Sequence, residues 1–144
     1  MNNNIGLKIM ASNFKFGKRS LDNLRGVHPD LVKVVYRALE LSPIDFTITE
    51  GLRTVARQKE LVAKGLSKTM NSRHITGHAV DFVPLPVDWN NVEPFITVAK
   101  CFLQAGKELG IALRWGGDWN MNGDWKDEKF RDLPHVELLR SVYP

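Results

Sequence analysis

The sequence contains a single cysteine, Cys101, among its 144 residues. One thiol cannot form an internal disulfide or a cysteine-based zinc cluster, so any bound metal has to use histidine and carboxylate ligands. Long hydrophobic runs are also lacking, since none approaches the roughly 18 apolar residues that a membrane-spanning helix needs. These absences predict a disulfide-free domain without stable membrane insertion.

The charged residues form no long basic or acidic block, and the net charge is +4. This balance predicts a mild attraction to anionic surfaces, but no zinc-finger or RNA-binding aromatic motif accompanies it, so nucleic acid is not an expected partner. No signal peptide is recognisable at the start, which predicts synthesis in the cytoplasm and release by another protein. We expect residues 1–13 to be a loose extension and residues 14–144 to form one catalytic domain, which acts as a monomer.

Hydrophobic periodicity predicts an α+β fold. Thr54 is suited to cap one helix, and Gly110 to end another. Helices are predicted at residues 30–41, 54–64 and 91–109, and strands at residues 45–50, 79–83, 111–115 and 135–139. Because helices and strands do not alternate strictly, we expect a small, mostly antiparallel sheet packed with helices.

Two of the four histidines stand beside carboxylates in segments that enter strands. His74 precedes a glycine-containing turn and a strand that carries Asp81, and His135 begins the last predicted strand. Two imidazoles and one carboxylate form an accepted set of ligands for a catalytic zinc ion, which keeps a fourth position for water. The sequence therefore predicts a zinc site at the sheet, formed by His74, Asp81 and His135. Asp132, three residues before His135, is the best-placed carboxylate to take a proton from that water.

The other two histidines are predicted to have structural roles. His78 is four residues from His74, the spacing at which two histidines on a helix bind zinc. Gly77 opposes a helix there, and the odd separation places His78 on the opposite strand face from Asp81. His28 is expected to face solvent at a helix start.

Two further polar residues have alternative interpretations. Glu137 shares a strand face with His135, so it either supports a metal ligand or Arg53, or forms an ordinary salt bridge. Ser72 either binds substrate or caps its turn.

The motif Ser-Arg-His-x-x-Gly-x-Ala-x-Asp at residues 72–81 and the motif Asp-x-Pro-His at residues 132–135 resemble the D-alanyl-D-alanine carboxypeptidase and dipeptidase family of zinc peptidases. Within this family the similarity is greatest to the L-alanyl-D-glutamate endopeptidases of bacteriophage endolysins. It extends from about residue 14 to residue 138 and includes residues 51–54, 104–110 and 114–119.

This resemblance implies zinc ligation by His74, Asp81 and His135, with Asp132 as the catalytic carboxylate. It also implies that Arg53 faces the site, binds substrate and polarises the scissile carbonyl. The implied activity is hydrolysis of the L-alanyl-D-glutamate bond in peptidoglycan stem peptides by zinc-activated water. Such an enzyme is made in the host cytoplasm and acts on the cell wall after release across the membrane.

A second metal signal lies in a polar loop. Asp118, Asn120 and Asn122, followed by glycine, match the start of a calcium-binding loop. The twelfth position is Lys129 instead of glutamate, but the nearby Asp127 and Glu128 offer acidic substitutes. The alternatives are a regulatory calcium site that orders the segment before the catalytic carboxylate, and a loop held only by polar turns.

Three other functions remain open at the level of sequence. A D,D- or L,D-carboxypeptidase of the same fold would act on the end of the stem peptide. A zinc-stabilised binding module would keep the ligands without turnover, although Asp132 and Arg53 argue against it. A lysozyme would cut glycan with two carboxylates and would be indifferent to chelators.

Overall fold

A computed structural model describes residues 12–128 and 131–144 of the chain. Within these residues the helices are α1 (Lys18–Asn23), α2 (Pro29–Leu41), α3 (Val55–Ala63) and α4 (Glu93–Leu109), with a short 3-10 helix at Trp125–Asp127. The strands are β1 (Phe46–Glu50), β2 (Ala79–Pro84), β3 (Leu113–Trp115) and β4 (His135–Leu138).

The four strands form one antiparallel sheet in the order β1-β2-β4-β3. The last strand of the chain therefore lies between β2 and β3. This position makes Asp81 on β2 the direct partner of His135 on β4. On the other side of β2, Asp81 also pairs with Glu50, after an irregularity in the register of β1. The predicted α+β class with a small, mostly antiparallel sheet is confirmed.

The core lies between the sheet and the two long helices. Helices α2 and α4 pack against each other, and α4 also contacts β2 and β3. Phe82 of β2 stacks on Phe102 of α4 with ring centroids 5.1 Å apart, and Phe46 of β1 packs against both rings. All three phenylalanines are almost fully buried. Burial of this apolar layer is the main favourable term that fixes the sheet, and with it the strand residues of the site.

The three predicted helices and four predicted strands are present, with boundaries that shift by one or two residues. Thr54 caps α3 as expected, since its side chain accepts a hydrogen bond from the Arg57 N–H. Strand β3 begins two residues later than predicted because the Ile111 N–H donates to the Gly106 carbonyl and completes the end of α4. Gly110 makes this possible by adopting a left-handed conformation with φ of 70°.

Helix α1 was not predicted. It has only six residues, and its buried residue is Ser20. The Ser20 hydroxyl accepts a hydrogen bond from the Ile48 N–H, and the Asn23 amide donates to the Ile48 carbonyl. Helix α1 thus satisfies backbone groups of β1, which lies at the edge of the sheet. The hydrogen-bond partner of α1 lies 25 or more residues away, so local periodicity does not reveal this helix.

The expectation that His28 faces solvent is wrong. His28 is half-buried and caps α2, where its Nδ1 accepts a hydrogen bond from the Asp30 N–H. Its ring also packs against His78 and Tyr143, with centroids 5.6 Å and 5.2 Å away. Tyr143 of the C-terminal segment partly covers His28. This contact joins distant parts of the chain, so the local sequence around His28 does not indicate it.

Most of the predicted N-terminal extension lies outside the described residues, and its looseness stays a prediction. Ser12, the first residue described, donates hydrogen bonds to the backbone carbonyls of Leu39 and Glu40. Of the helices in the described part of the chain, none has the length and apolar character required to cross a membrane.

Candidate metal centre and catalytic cleft

Three side chains from separate parts of the chain converge beside the sheet. His74 lies in the turn before β2, while Asp81 and His135 are paired residues of β2 and β4. The turn depends on Gly77, which has φ of 76° and where an added Cβ would lie 2.5 Å from the Gly26 carbonyl oxygen. A side chain at this position would disturb the turn that brings His74 towards the strands.

The ligand atoms have the spacing that a metal ion requires. One atom from each of His74, Asp81 and His135 lies within 4.8 Å of the other two. Asp81 Oδ1 is 3.1 Å from His74 Nε2 and 3.3 Å from His135 Nδ1. A tetrahedral zinc ion with bonds of about 2.0–2.1 Å separates neighbouring ligand atoms by roughly 3.4 Å. The residues therefore fit zinc in both chemistry and spacing.

The outward nitrogens of both histidines are also occupied. His74 Nδ1 lies 2.8 Å from the Gly51 carbonyl oxygen, and His135 Nε2 lies 2.8 Å from Glu137 Oε1. An N–H donated at each of these positions leaves the opposite nitrogen with a free lone pair that faces Asp81. Glu137 is held in turn by Arg114, whose Nη2 donates to Oε2 over 3.0 Å. Glu137 therefore contacts His135, one of the predicted metal ligands, and also forms a salt bridge with Arg114.

The electrostatics of the group favour a positive charge beside Asp81. Burial alone raises the pKa of Asp81, but hydrogen bonds from His135 and His74 outweigh burial and hold the pKa well below its usual range. Burial lowers the pKa of His135, but hydrogen bonds to Asp81 and Glu137 outweigh it and raise the pKa to about 9. The site thus attracts a cation, either as a proton on His135 or as a metal ion.

Asp132 lies in the same cleft, before β4. Its N–H donates to the Gly116 carbonyl, and its own carbonyl accepts from the His135 N–H. A Cβ on Gly116 would lie 2.2 Å from the Asp132 carbonyl oxygen, so only glycine permits this approach. Solvent reaches Asp132 from the cleft, yet the surrounding protein removes water from its carboxyl group and raises its pKa, and the negative charge of Asp81 raises it further.

Arg53 also lines the cleft, and its side chain is almost fully engaged. Its Nε and Nη2 donate to the two carboxylate oxygens of Glu50 over 2.7 Å and 2.6 Å. Its Nη1 donates to Gln58 over 2.8 Å and to Ser72 over 3.4 Å. A guanidinium has five N–H groups, so these four bonds leave one N–H, on Nη2, without an acceptor among the described residues.

Ser72 caps its turn and also lines the cleft, and its binding of substrate stays a prediction. Its hydroxyl accepts a hydrogen bond from the His74 N–H, which caps the turn, and the residue lines the cleft. His78 lies apart from the metal group, and its Nδ1 is 2.7 Å from the Thr76 hydroxyl.

Sequence reasoning missed two residues that shape this cleft, Gln58 and Arg114. Gln58 is fully buried and joins Arg53 to the backbone of Thr69, although the sequence suggests only a helical repeat at its position. Arg114 holds Glu137, and the ring of Trp119 lies 5.4 Å from the ring of His135. Tryptophans that flank the glycine-rich loop predict that at least one of them lines the cleft, and Trp119 does so. The partner of Arg114 is 23 residues away, and Gln58 reaches Arg53 and Thr69 over five and eleven residues, beyond one helical turn.

The second predicted metal site is only partly assembled as expected. Carboxylate oxygens of Asp118, Asp127 and Glu128 lie within 4.8 Å of one another. The Asp118 carboxylate accepts hydrogen bonds from the N–H groups of Asn122 and Gly123. The side chains of the two predicted asparagine ligands bond within the loop, Asn122 to Asp127 and Asn120 to the Asn122 N–H. Lys129 lies outside the described residues.

The fold and the first site define a class of protein. Two imidazoles and a carboxylate, held by a turn and two neighbouring strands and open to a cleft of about 440 Å³, are typical of metal-dependent hydrolases. The sequence profile of the phage L-alanyl-D-glutamate peptidases matches residues 12–139, and the chain belongs to this family.

Individual relatives agree with this assignment. The L-alanyl-D-glutamate peptidase of Escherichia phage T5 is 53% identical over 135 residues, which cover 88% of this chain and 98% of that protein. The L-alanyl-D-glutamate peptidase of Listeria phage A118 is 35% identical over 132 residues, which cover 87% of this chain and 42% of its relative. The crystal structure of the Serratia marcescens L-Ala D-Glu endopeptidase ChiX has 43% sequence identity and a TM-score of 0.79, covering 92% of this chain and 96% of that structure. The expected resemblance and the peptidase class are confirmed.

Proposed function

We propose that this chain is an endolysin that hydrolyses the L-alanyl-D-glutamate bond of peptidoglycan stem peptides, with His74, Asp81 and His135 as zinc ligands. One observation carries the proposal: three ligand atoms within 4.8 Å of one another lie in a cleft that Asp132 also lines. A purely structural zinc site is closed by a fourth protein ligand and needs no free carboxylate. The arrangement therefore favours a catalyst over a zinc-stabilised binding module.

The residues of the chain divide the proton transfers and the charge stabilisation between them. Asp132 takes a proton from the attacking water and returns it to the amine of D-glutamate when the peptide bond breaks. A raised pKa suits the first transfer, because it makes the Asp132 carboxylate a stronger base towards the attacking water. The remaining Nη2 proton of Arg53 stabilises the oxygen of the scissile carbonyl as negative charge develops, and the bonds to Glu50 hold the guanidinium in position.

Zinc bound by this group supplies a Lewis acid for the carbonyl and lowers the pKa of the attacking water. Because the nucleophile is water, no covalent intermediate with a side chain is expected.

The identity of the cleaved bond is tested by digesting purified peptidoglycan and identifying the new termini by mass spectrometry. We expect new amino-terminal D-glutamate and a matching L-alanine carboxyl end, with both products lost after chelation. Release of a terminal D-alanine would instead indicate a carboxypeptidase. New reducing sugars that persist with chelator would indicate a glycan hydrolase.

Replacement of Glu137 by glutamine is expected to weaken zinc binding by about 10- to 100-fold, since a neutral amide holds the His135 N–H less strongly than a carboxylate does. Competition with a chromophoric chelator measures the affinity. Glu93→Gln, on α4 and outside the cleft, is the matched control and should bind zinc as the wild type does. Equal affinities for Glu137→Gln and the wild type would contradict a supporting role for Glu137.

We also propose that the loop around Asp118 binds calcium and regulates activity. The carboxylates of Asp118, Asp127 and Glu128 provide hard oxygen ligands, and two backbone N–H groups of the loop hold the Asp118 carboxylate in place. The same loop carries Trp119, whose ring packs near His135. An ordered loop would hold this ring at the catalytic cleft.

Calcium added at constant zinc is therefore expected to raise the rate of hydrolysis in the wild type. Asp127→Asn should abolish this response, because it removes one negative ligand. Asp124→Asn lies in the same loop outside the acidic group and should keep the response. A wild-type rate that is flat over the calcium titration would reject the regulatory site.

The cellular course that we propose is synthesis in the host cytoplasm and action on the wall after another protein breaches the membrane. The family of phage peptidases to which the chain belongs supports this order.

We propose that the active form is a monomer, because the three zinc ligands and the catalytic carboxylate all come from one chain. Sedimentation of the active enzyme tests the oligomeric state.

A further inference from the structure

The catalytic cleft has an unbalanced distribution of positive charge. Four of its lining residues are arginines: Arg53, Arg73, Arg114 and Arg140. Two of them are neutralised, Arg53 by Glu50 and Arg114 by Glu137. The other two, Arg73 and Arg140, have no carboxylate within ion-pair distance among the described residues. Both also line an adjoining smaller groove, so the excess charge lies on one side of the cleft.

Arg73 is buried and serves as an anchor. Its Nη2 donates to the backbone carbonyls of Leu138 and Tyr143 over 3.0 Å and 2.5 Å. Its Nε has no acceptor among the described residues. Arg73 and Arg140 line the same two grooves, so an anion bound there would lie near both positive charges.

The Arg140 side chain is exposed, but backbone hydrogen bonds hold the chain on both sides of it. Just before it, the Leu139 N–H donates to the Ala112 carbonyl. Just after it, the Tyr143 N–H donates back to the Leu139 carbonyl. The Tyr143 hydroxyl donates to Asp30 over 2.7 Å, and the Tyr143 ring packs on His28. These contacts, together with Arg73, hold residues 139–144 against the body of the protein. The tail thus presents the Arg140 side chain to the cleft.

We propose that Arg140, with Arg73 beneath it, binds a free carboxylate of the stem peptide and makes the enzyme prefer substrates that carry this charge. The inference rests on the proposed function and specifies its substrate. Stem peptides offer two such groups. D-glutamate, when joined through its side-chain carboxyl, has a free α-carboxylate unless it is amidated, and diaminopimelate at the next position has a carboxylate that lysine lacks.

The test uses four synthetic stem peptides, in which the α-acid or α-amide of D-glutamate is combined with diaminopimelate or lysine. Arg140→Gln is expected to lower kcat/KM by about 10-fold for peptides that carry the recognised carboxylate, and to leave peptides without it unchanged. Arg140→Lys should retain part of the preference, because the charge remains while the paired donors are lost. Arg25→Gln is the control, since its side chain is exposed and lies outside the cleft.

The pattern across the four peptides decides the source of the carboxylate. A loss that depends on the α-acid assigns the contact to D-glutamate, and a loss that depends on the third residue assigns it to diaminopimelate. Equal losses on all four peptides would show that Arg140 has only a structural role and would overturn the proposal. The absence of any loss would overturn it as well.

Binding measurements separate this inference from the proposed activity. If the wild type cleaves none of the peptides, the proposed function fails, and titration calorimetry with the same peptides still tests the carboxylate contact. Arg140→Gln should then weaken binding of the charged peptide by about 10-fold and leave binding of its uncharged counterpart unchanged. Indistinguishable binding of the two peptides by the wild type would overturn the inference.

Discussion

Asp132→Asn is expected to lower kcat/KM for stem-peptide hydrolysis by about 10²- to 10⁴-fold, while the zinc content stays at the wild-type level. Asparagine has nearly the same shape as aspartate, but it cannot take a proton from water at neutral pH. The metal ligands are untouched, because Asp132 is outside the group formed by His74, Asp81 and His135. In this variant the rate of hydrolysis should therefore fall while the zinc content stays unchanged.

Asp88→Asn provides the matched control, since this aspartate is outside the cleft and its oxygen bonds only a local backbone N–H. It should retain both zinc and activity. Near-normal turnover by Asp132→Asn would assign the proton transfers to another group. Loss of zinc together with activity would show that Asp132 supports the metal centre instead of acting on substrate.

His74→Ala is expected to abolish both zinc binding and hydrolysis. The variant keeps only two of the three proposed protein ligands. It also lacks the imidazole that the Gly51 carbonyl orients in the wild type. Zinc-dependent stabilisation should disappear as well. In the wild type, zinc at about 100 times its dissociation constant adds about 2.7 kcal/mol to the free energy of unfolding. Zinc analysis and thermal unfolding with and without the metal measure both effects.

His78→Ala is the sharpest control for this prediction, because the residue is only four positions away and lies outside the metal group. It should keep zinc and most of the activity. His74 is 2% exposed, so its replacement also leaves a cavity that destabilises the metal-free protein. Asp81→Asn keeps the side-chain volume and tests the metal site without that cavity. Full zinc binding by both His74→Ala and Asp81→Asn would refute the assigned ligand set.

Local patterns in the chain were sufficient for most of the secondary structure. Helices α2 and α4 have a continuous apolar face, and the strands that carry Asp81 and His135 are short apolar segments bounded by turns or prolines. These signals depend on residues within a few positions of one another, so periodicity detects them. Helix α1 has no such signal, because its hydrogen bonds go to Ile48 on β1.

The three candidate metal ligands were predictable for a different reason. Histidine and aspartate next to a glycine turn and a strand form a rare combination, and the motifs at residues 72–81 and 132–135 occur in a recognisable order. Their convergence is explained by the sheet order, in which the last strand pairs with β2 and brings His135 opposite Asp81. Sequence alone does not specify the pairing of strands more than 50 residues apart.

Residue type and spacing along the chain predicted a metal site with a free carboxylate beside it, because the chemistry of zinc restricts its ligands to a few side chains in a few patterns. The resemblance of the two motifs to a peptidase family supplied the activity. Only the folded chain decided which groups support those ligands and how charge is distributed around them. Glu137 supports His135, Gln58 fixes Arg53, and the C-terminal tail places Arg140 at the cleft. The contact of Glu137 with His135 follows the period of two along β4, which the sequence shows, but the contacts of Gln58 and of the C-terminal tail depend on packing in three dimensions and leave no periodic trace in the sequence.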